Sequence, residues 1–300
     1  MTDTVASVVR AVSLRCGSRV LSLDQPAVMG ILNVTPDSFS DGGQLWHHHR
    51  LALDACLARA TAMVDEGARI VDVGGESTRP GAHPPSLAEE MDRVLPVVEA
   101  IASRLDVLIS VDTSQPAIMT AAARAGAGII NDVRALQRDG AVTAAAASGL
   151  AVCLMHMQGE PASMQAAPAY ASVVDDVSRW LVDRVAVCEA AGIARNRLVI
   201  DPGFCFGKTA AHNLQLLARL HELGVHGLPV MAGLSRKSLI GTITGRPVEA
   251  RLPGSLALAQ VALTHGARIL RVHDVAATMD MLKIWLAVRE CGRLNQDCAT

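Results

Sequence analysis

RIVDVGGESTRPGAHPPSLAEEMDRVLPVVEAIASRLDVLISVDT, residues 69–113, contains the unit from which the rest of the chain is read. Ile70, Val71 and Val73 make a short β-branched run that breaks at Gly74-Gly75. SLAEEMDRVLPVVEAIASRL then carries its apolar residues at helical spacing, and VLISVDT (107–113) is β-branched again. Strand, long helix, strand is the pattern of two parallel strands joined by a crossover helix. Each strand leaves the core on polar groups: Asp72 and Glu76 after the first, Asp112 at the end of the second.

The same rhythm extends in both directions. Strand candidates before and after this unit are AVMGILNV (27–34), GIINDV (128–133), AVCLMH (151–156), LVIDPG (198–203), PVMAGLS (229–235) and RILRVHD (268–274). Helical stretches such as VVDDVSRWLVDRVAVCEAAG and GSLALAQVALTHGA separate them. Eight parallel strands with intervening helices is the arithmetic of a (β/α)8 barrel, and 300 residues is a fitting length. A doubly wound sheet is the alternative, but the first strand is not followed by G-x-G-x-x-G. RAVSLRCGSRVLSL (10–23) reads as two short strands around a turn at Gly17, a lid on one end of the domain. The expected fold is therefore α/β, a single (β/α)8 TIM barrel with an N-terminal β-hairpin. Its parts are a hairpin segment 1–25, a barrel 26–290 and a C-terminal tail 291–300.

Composition narrows the class. Half of the residues are apolar and 19% are charged, as in a folded, well-buried protein. A net charge of -2 gives no reason to expect a nucleic-acid or membrane partner. No apolar run approaches the ~18 residues of a membrane span, and the N-terminal residues lack the apolar centre of a secretory signal. Seven scattered cysteines without a C-x-x-C pair fit reduced thiols, so a cytoplasmic location is expected. HHH (47–49) reads as the solvated opening of a helix, without the spacing of paired metal ligands.

Function is read from the strand ends. In order these carry Asn33, Asp72 and Glu76, Asp112, Asn131, His156, Asp201, Ser235 and Lys237, and finally Arg271 and His273. One such residue is a cap or a turn; eight in a row are the active-site face of a barrel. Arg271 and His273 fall on the same side of the last strand and suit an anion, with an Arg271–Asp274 pair as the competing explanation. Barrel closure sets them beside the first strand, where the Asn33 amide oxygen could hold a hard cation such as Mg2+ on a polyphosphate. Asp112, Asn131 and Asp201 facing one pocket suit a flat heterocycle with adjacent N–H donors. Lys237 can donate to that ring; a Schiff base is the rival role. Thr78 and Arg79 could reach an anion, and Pro80 could wall a substrate ring. Met155 reads as pocket wall.

Together MGILNVTPDSFSDGG, IVDVGGESTRPGA, ISVDTS, IINDV, CLMHMQG, IDPGFCFGK, GLSRKS and RVHDV resemble the bacterial dihydropteroate synthases, from about Pro26 to the last helix. The resemblance implies a Mg2+-dependent homodimeric barrel of folate biosynthesis. Such enzymes join 4-aminobenzoate to (7,8-dihydropterin-6-yl)methyl diphosphate and release pyrophosphate. It assigns Asn33 to the metal, and the pterin to Asp112, Asn131, Asp201 and Lys237, with Met155 and Phe206 as walls. It assigns the diphosphate to Thr78, Arg79, Arg271 and His273, and 4-aminobenzoate to Phe39, Pro80, Ser235 and Lys237. The implied catalytic set is Asp112, Lys237, Arg271 and His273. The pattern departs at Cys205, where the family usually has Gly. The rivals are a pterin-binding methyltransferase domain, which should lack the anion pair of the last strand, and a non-catalytic homologue, which should have lost Lys237 or the polar loops.

Overall fold

The computed structural model describes residues 12–35, 46–47, 50–77, 84–159, 164–165, 167–223 and 227–297. β1 (Ser13–Cys16) and β2 (Arg19–Ser22) pair antiparallel around Gly17, whose φ of +62° suits the turn. β3 (Ala27–Asn33) follows, then a two-residue antiparallel pair, β4 (Trp46–His47) and β5 (Arg50–Leu51). α1 (Leu53–Asp65) leads to β6 (Ile70–Gly74). His47 thus belongs to a short strand rather than to a helix start. Alternation continues through α2 (Leu87–Arg104), β7 (Leu108–Asp112), α3 (Pro116–Ala125), β8 (Ile129–Asp132), α4 (Ala141–Ser148) and β9 (Ala151–Met155). The second half runs α5 (Val173–Ala190), β10 (Leu198–Asp201), α6 (Ala210–Ala218), α7 (Leu220–Leu223), β11 (Val230–Ala232) and α8 (Ser238–Thr244). It ends with α9 (Leu252–Thr264), β12 (Ala267–Val272) and α10 (Val275–Asp297), which runs past the boundary expected at residue 290.

The eight strands β3, β6, β7, β8, β9, β10, β11 and β12 close in that order into a parallel barrel, which excludes the doubly wound sheet. Closure is direct: β12 pairs with β3 through Arg271↔Met29 and Val272↔Gly30. Local chemistry starts the helices where the strands need them. At α2 the Ser86 hydroxyl accepts from the Glu89 backbone N–H while the Glu89 carboxylate accepts from that of Ser86, at 3.3 and 2.8 Å.

Strand alternation divides the core. Val28, Leu32, Val71, Val73, Ile109, Val111, Val152 and Leu154 face outward and pack under the helices. Met29, Ile70, Leu108, Ile129, Val199, Met231 and Ile269 face inward and form a separate inner cluster. The hairpin's Leu14, Leu21 and Leu23 belong to that inner cluster, so the hairpin seals the N-terminal end of the barrel. Higher on the inner face the residues turn polar, because the register sets Asn33, Gly74, Asp112 and Asn131 side by side at one level. The six described cysteines are free thiols. Among the described residues no helix is long and apolar enough to cross a membrane.

Candidate active site

A cavity of about 710 Å³ opens at the C-terminal ends of the strands. Asn33, Asp112, Asn131, Met155 and Asp201 line it from the strands themselves. Phe206, Ser235, Lys237, Arg271 and His273 line it from the later strand ends and loops. Phe39, Thr78, Arg79 and Pro80 lie outside the described residues. His156, grouped with the others by its place at a strand end, does not line the cavity. Its ring meets Trp180 edge-on at 5.0 Å and takes the buried Lys208 ammonium on Nδ1 at 2.9 Å.

The floor is an ion cluster. Arg271 Nε donates to Asp72 Oδ2 at 2.6 Å and Nη2 to Asp112 Oδ2 at 2.8 Å; Asn131 Nδ2 donates to the same Asp72 oxygen at 3.2 Å. The Arg271–Asp274 pair entertained from sequence is not formed: Asp274 holds Arg236 instead, at 2.5 and 3.0 Å. Burial raises Asp112 to about 8; Arg271 opposes this, while Asp72, Glu76 and Asp132 add to it. Burial alone would lower Arg271, but Asp72 first and Asp112 second hold it above its ordinary value. A single guanidinium shared by two carboxylates is a costly arrangement in a protein interior, and function rather than stability is the usual reason to keep one.

The opposite wall is built by the segment after β10. Asp201 Oδ1 accepts from the Gly203 N–H at 2.7 Å, and burial raises its carboxyl against the nearby Lys237 charge. Gly203 has φ +67°, and a Cβ there would lie 1.9 Å from the His156 carbonyl oxygen, so no other residue fits. Lys208 gathers the segment, donating to the Gly203 and Phe206 carbonyls at 3.0 Å each. Burial lowers Lys208 to about 7 and, with the Lys208 charge second, His156 to about 3, which leaves His156 Nδ1 an acceptor. Lys237 donates to the Phe204 carbonyl at 2.5 Å and stands 4.7 Å from the centre of the Phe206 ring. Its position past the strand end implied an easily kept charge; burial lowers its pKa, with Cys205 and Asp201 opposing.

Cys205 lines the cavity with φ +65°, a left-handed conformation that costs a residue with a Cβ roughly 1–2 kcal/mol. That is a physical reason for the glycine that the resemblance implies there. His273 Nδ1 lies 3.0 Å from Ser235 Oγ, which also accepts from the His273 backbone N–H at 3.2 Å, so the last strand is pinned to the segment after β11. Two groups went unassigned in sequence. Asp72 is visible in sequence as a strand-end acid, but its role shows only once Arg271 is beside it. Glu76, a cavity wall, is held by Arg134 through both guanidinium nitrogens at 3.1 and 3.2 Å.

Among the described residues no group of three or more His, Cys, Asp or Glu could hold a metal ion. The Asn33 amide oxygen lies beside Gly74 and Asp112 at the cavity wall. One neutral oxygen suits a Mg2+ whose other ligands are phosphate oxygens and water, rather than a resident ion in a protein cage.

The pterin binding enzyme family matches residues 29–273. Dihydropteroate synthase of Escherichia coli (strain K12) is 53% identical over 264 residues, 88% of this chain and 92% of that protein. A Yersinia pestis dihydropteroate synthase with a sulfonamide drug complex superposes with a TM-score of 0.89 at 51% identity, covering 93% of this chain and 99% of its own. A Xanthomonas albilineans dihydropteroate synthase with 4-aminobenzoic acid does so with a TM-score of 0.86 at 50% identity, covering 93% and 98%.

Proposed function

The chain belongs to the pterin-binding enzymes and, among them, to the dihydropteroate synthases, and we propose how its barrel mouth performs that reaction. The enzyme condenses 4-aminobenzoate with (7,8-dihydropterin-6-yl)methyl diphosphate to give 7,8-dihydropteroate and pyrophosphate. The observation that carries the residue roles is that one cavity holds two acids and an amide at its wall and three cationic or donor groups, Lys237, Arg271 and His273, beside them.

Asp112, Asn131 and Asp201 receive the N–H edge of the pterin, and Lys237 donates to its ring while lying over Phe206. Met155 forms the facing wall. Arg271 and His273 take the diphosphate, joined by Thr78 and Arg79. Ser235 and Lys237 face 4-aminobenzoate, with Phe39 and Pro80 completing that slot. Asn33 would contribute an oxygen to Mg2+, which would supply positive charge against the leaving diphosphate.

The arylamine is neutral at pH 7 and needs no strong base, but it is a weak nucleophile. The hard step is breaking the bond between the methylene carbon and the bridging oxygen. Arg271 stabilises the electrons that leave with pyrophosphate, and the ionised form of Asp112, which grows as pH approaches 8, stabilises the positive methylene conjugated to the ring. The amine nitrogen then bonds to that carbon and loses its proton to solvent. Ionisation therefore precedes amine capture. Sustained turnover should require both substrates and Mg2+, because the cation must be captured before the next cycle, and arylamines of graded basicity should give nearly equal kcat. A steep rise of kcat with basicity would overturn ionisation first. A cytoplasmic location is supported by the free thiols. A homodimer is supported by an exposed apolar stripe on α9 and α10.

A further inference from the structure

Asp72 is fully buried on β6 and does not line the cavity, yet two of the cavity's ligand-facing groups end on one of its oxygens. Oδ2 accepts from Arg271 Nε at 2.6 Å and from Asn131 Nδ2 at 3.2 Å. Its other oxygen, and the hydroxyl of its register neighbour Ser110, have no hydrogen-bond partner among the described residues. The two ends of an asparagine amide are alike in shape and opposite in hydrogen bonding, so the end that faces a ligand decides what ring edge it reads. A carboxylate oxygen already accepting from a guanidinium can only accept again. It therefore draws Nδ2 and leaves Oδ1 as the end of Asn131 available to the cavity.

We propose that Asp72 is a positioning residue that fixes the Asn131 amide with its oxygen toward the ligand and so sets the polarity of the pocket. With Asp112 and Asp201 already presenting carboxyl groups, the pocket then selects a ring edge of N–H donors and rejects the same ring carrying an acceptor there. This rests on the pterin reading of the cavity. A role as mere counter-charge to Arg271 makes a different forecast. Asp72→Asn removes the charge but keeps an acceptor in place, because its own Nδ2 can turn toward the unpartnered Ser110 hydroxyl. Asp72→Leu removes both.

The test is calorimetric titration with two probes, a 2-aminopteridin-4-one and the matching 2,4-dioxopteridine. Wild-type protein should prefer the amino ring by about tenfold or more, the scale of one mismatched buried hydrogen bond. Asp72→Asn should keep that ratio within roughly threefold, and Asp72→Leu should lose most of it. A ratio kept by Asp72→Leu, or lost equally in both variants, overturns the proposal. Wild-type protein that binds neither ring overturns the pterin reading and this inference with it. Should Asp72→Leu not fold, NMR of the Asn131 side-chain amide in wild-type protein decides the point. One of its two Nδ2 protons should stay hydrogen-bonded to Asp72 with and without the amino ring, and a transfer of that bond to the ligand overturns the role.

Discussion

Burial lifts Asp112 from an ordinary 3.8 to about 8, although Arg271 donates to it at 2.8 Å. Between those values the folded protein holds a proton that the unfolded chain has released. The contribution of Asp112 to stability is therefore full below pH 3.8 and is lost as pH rises through about 8. Asp112→Asn should flatten that decline, so at pH 8 the variant melts higher than wild type, by the equivalent of up to a few kcal/mol, while synthase activity collapses. Thermal melts from pH 4 to 9 check it, and parallel pH curves for the two proteins would refute it. Arg271 is the counterpart: Arg271→Ala should cost on the order of 2–5 kcal/mol of pyrophosphate affinity, read by calorimetry. Sequence exposed these residues because each stands where a strand ends. It could not expose the Arg271–Asp72 pair, since the partners are 199 residues apart and meet only through barrel closure. Nor could it show that Lys208, the last residue of a recognised motif, turns inward to tie His156 and the carbonyls of Gly203 and Phe206.

At the scale of elements, the chain was legible wherever periodicity and burial agree. Ile70–Gly74 is buried throughout, because helices cover one face and the barrel interior the other, so it is an apolar run broken only by the inward Asp72. Legibility failed where tertiary contact decides, as in the short β4–β5 pair and in α10, which continues to Asp297 although the end of the sequence suggested a tail. The hairpin was visible as two short runs around Gly17, but its weight is seen only in the packing. Leu14, Leu21 and Leu23 fill the barrel floor with Met29, Ile70 and Ile269, and Arg19 donates to the Val107 carbonyl at 2.9 Å and to Asp106 at 2.7 Å. Leu21→Ala should therefore cost about 2–5 kcal/mol of stability. Because the hairpin closes the end opposite the cavity, KM for both substrates should stay near wild type at temperatures where the variant is folded. Denaturant melts paired with steady-state kinetics separate the two, and a KM shift without a stability loss would show that the hairpin reaches the site.

Across the whole molecule, the barrel segregates its tasks. Apolar packing concentrates at the floor and around the strands, and the buried charged groups gather at the mouth, where the substrates are proposed to bind. Part of the exposed apolar surface lies on neither. Ile284 and Val288, one helical turn apart on α10, are 68% and 69% exposed, and Val261 on α9 is 38% exposed. The two helices are tied side by side by the Trp285 Nε1 donation to Thr264 at 3.3 Å, so these residues belong to one rigid face. Exposed apolar side chains on two neighbouring helices are a common mark of a protein surface that another protein covers, and a second copy of the chain is the occupant proposed above. Replacing Ile284 and Val288 with Lys would set like charges against each other across a two-fold contact. The double variant should run as a monomer in light scattering, with kcat per chain unchanged, because Ile284 and Val288 lie on α10 and none of the residues lining the cavity does. A dimer that survives both substitutions would move the interface to another face, and a monomer that has lost activity would mean that the mouth depends on its partner.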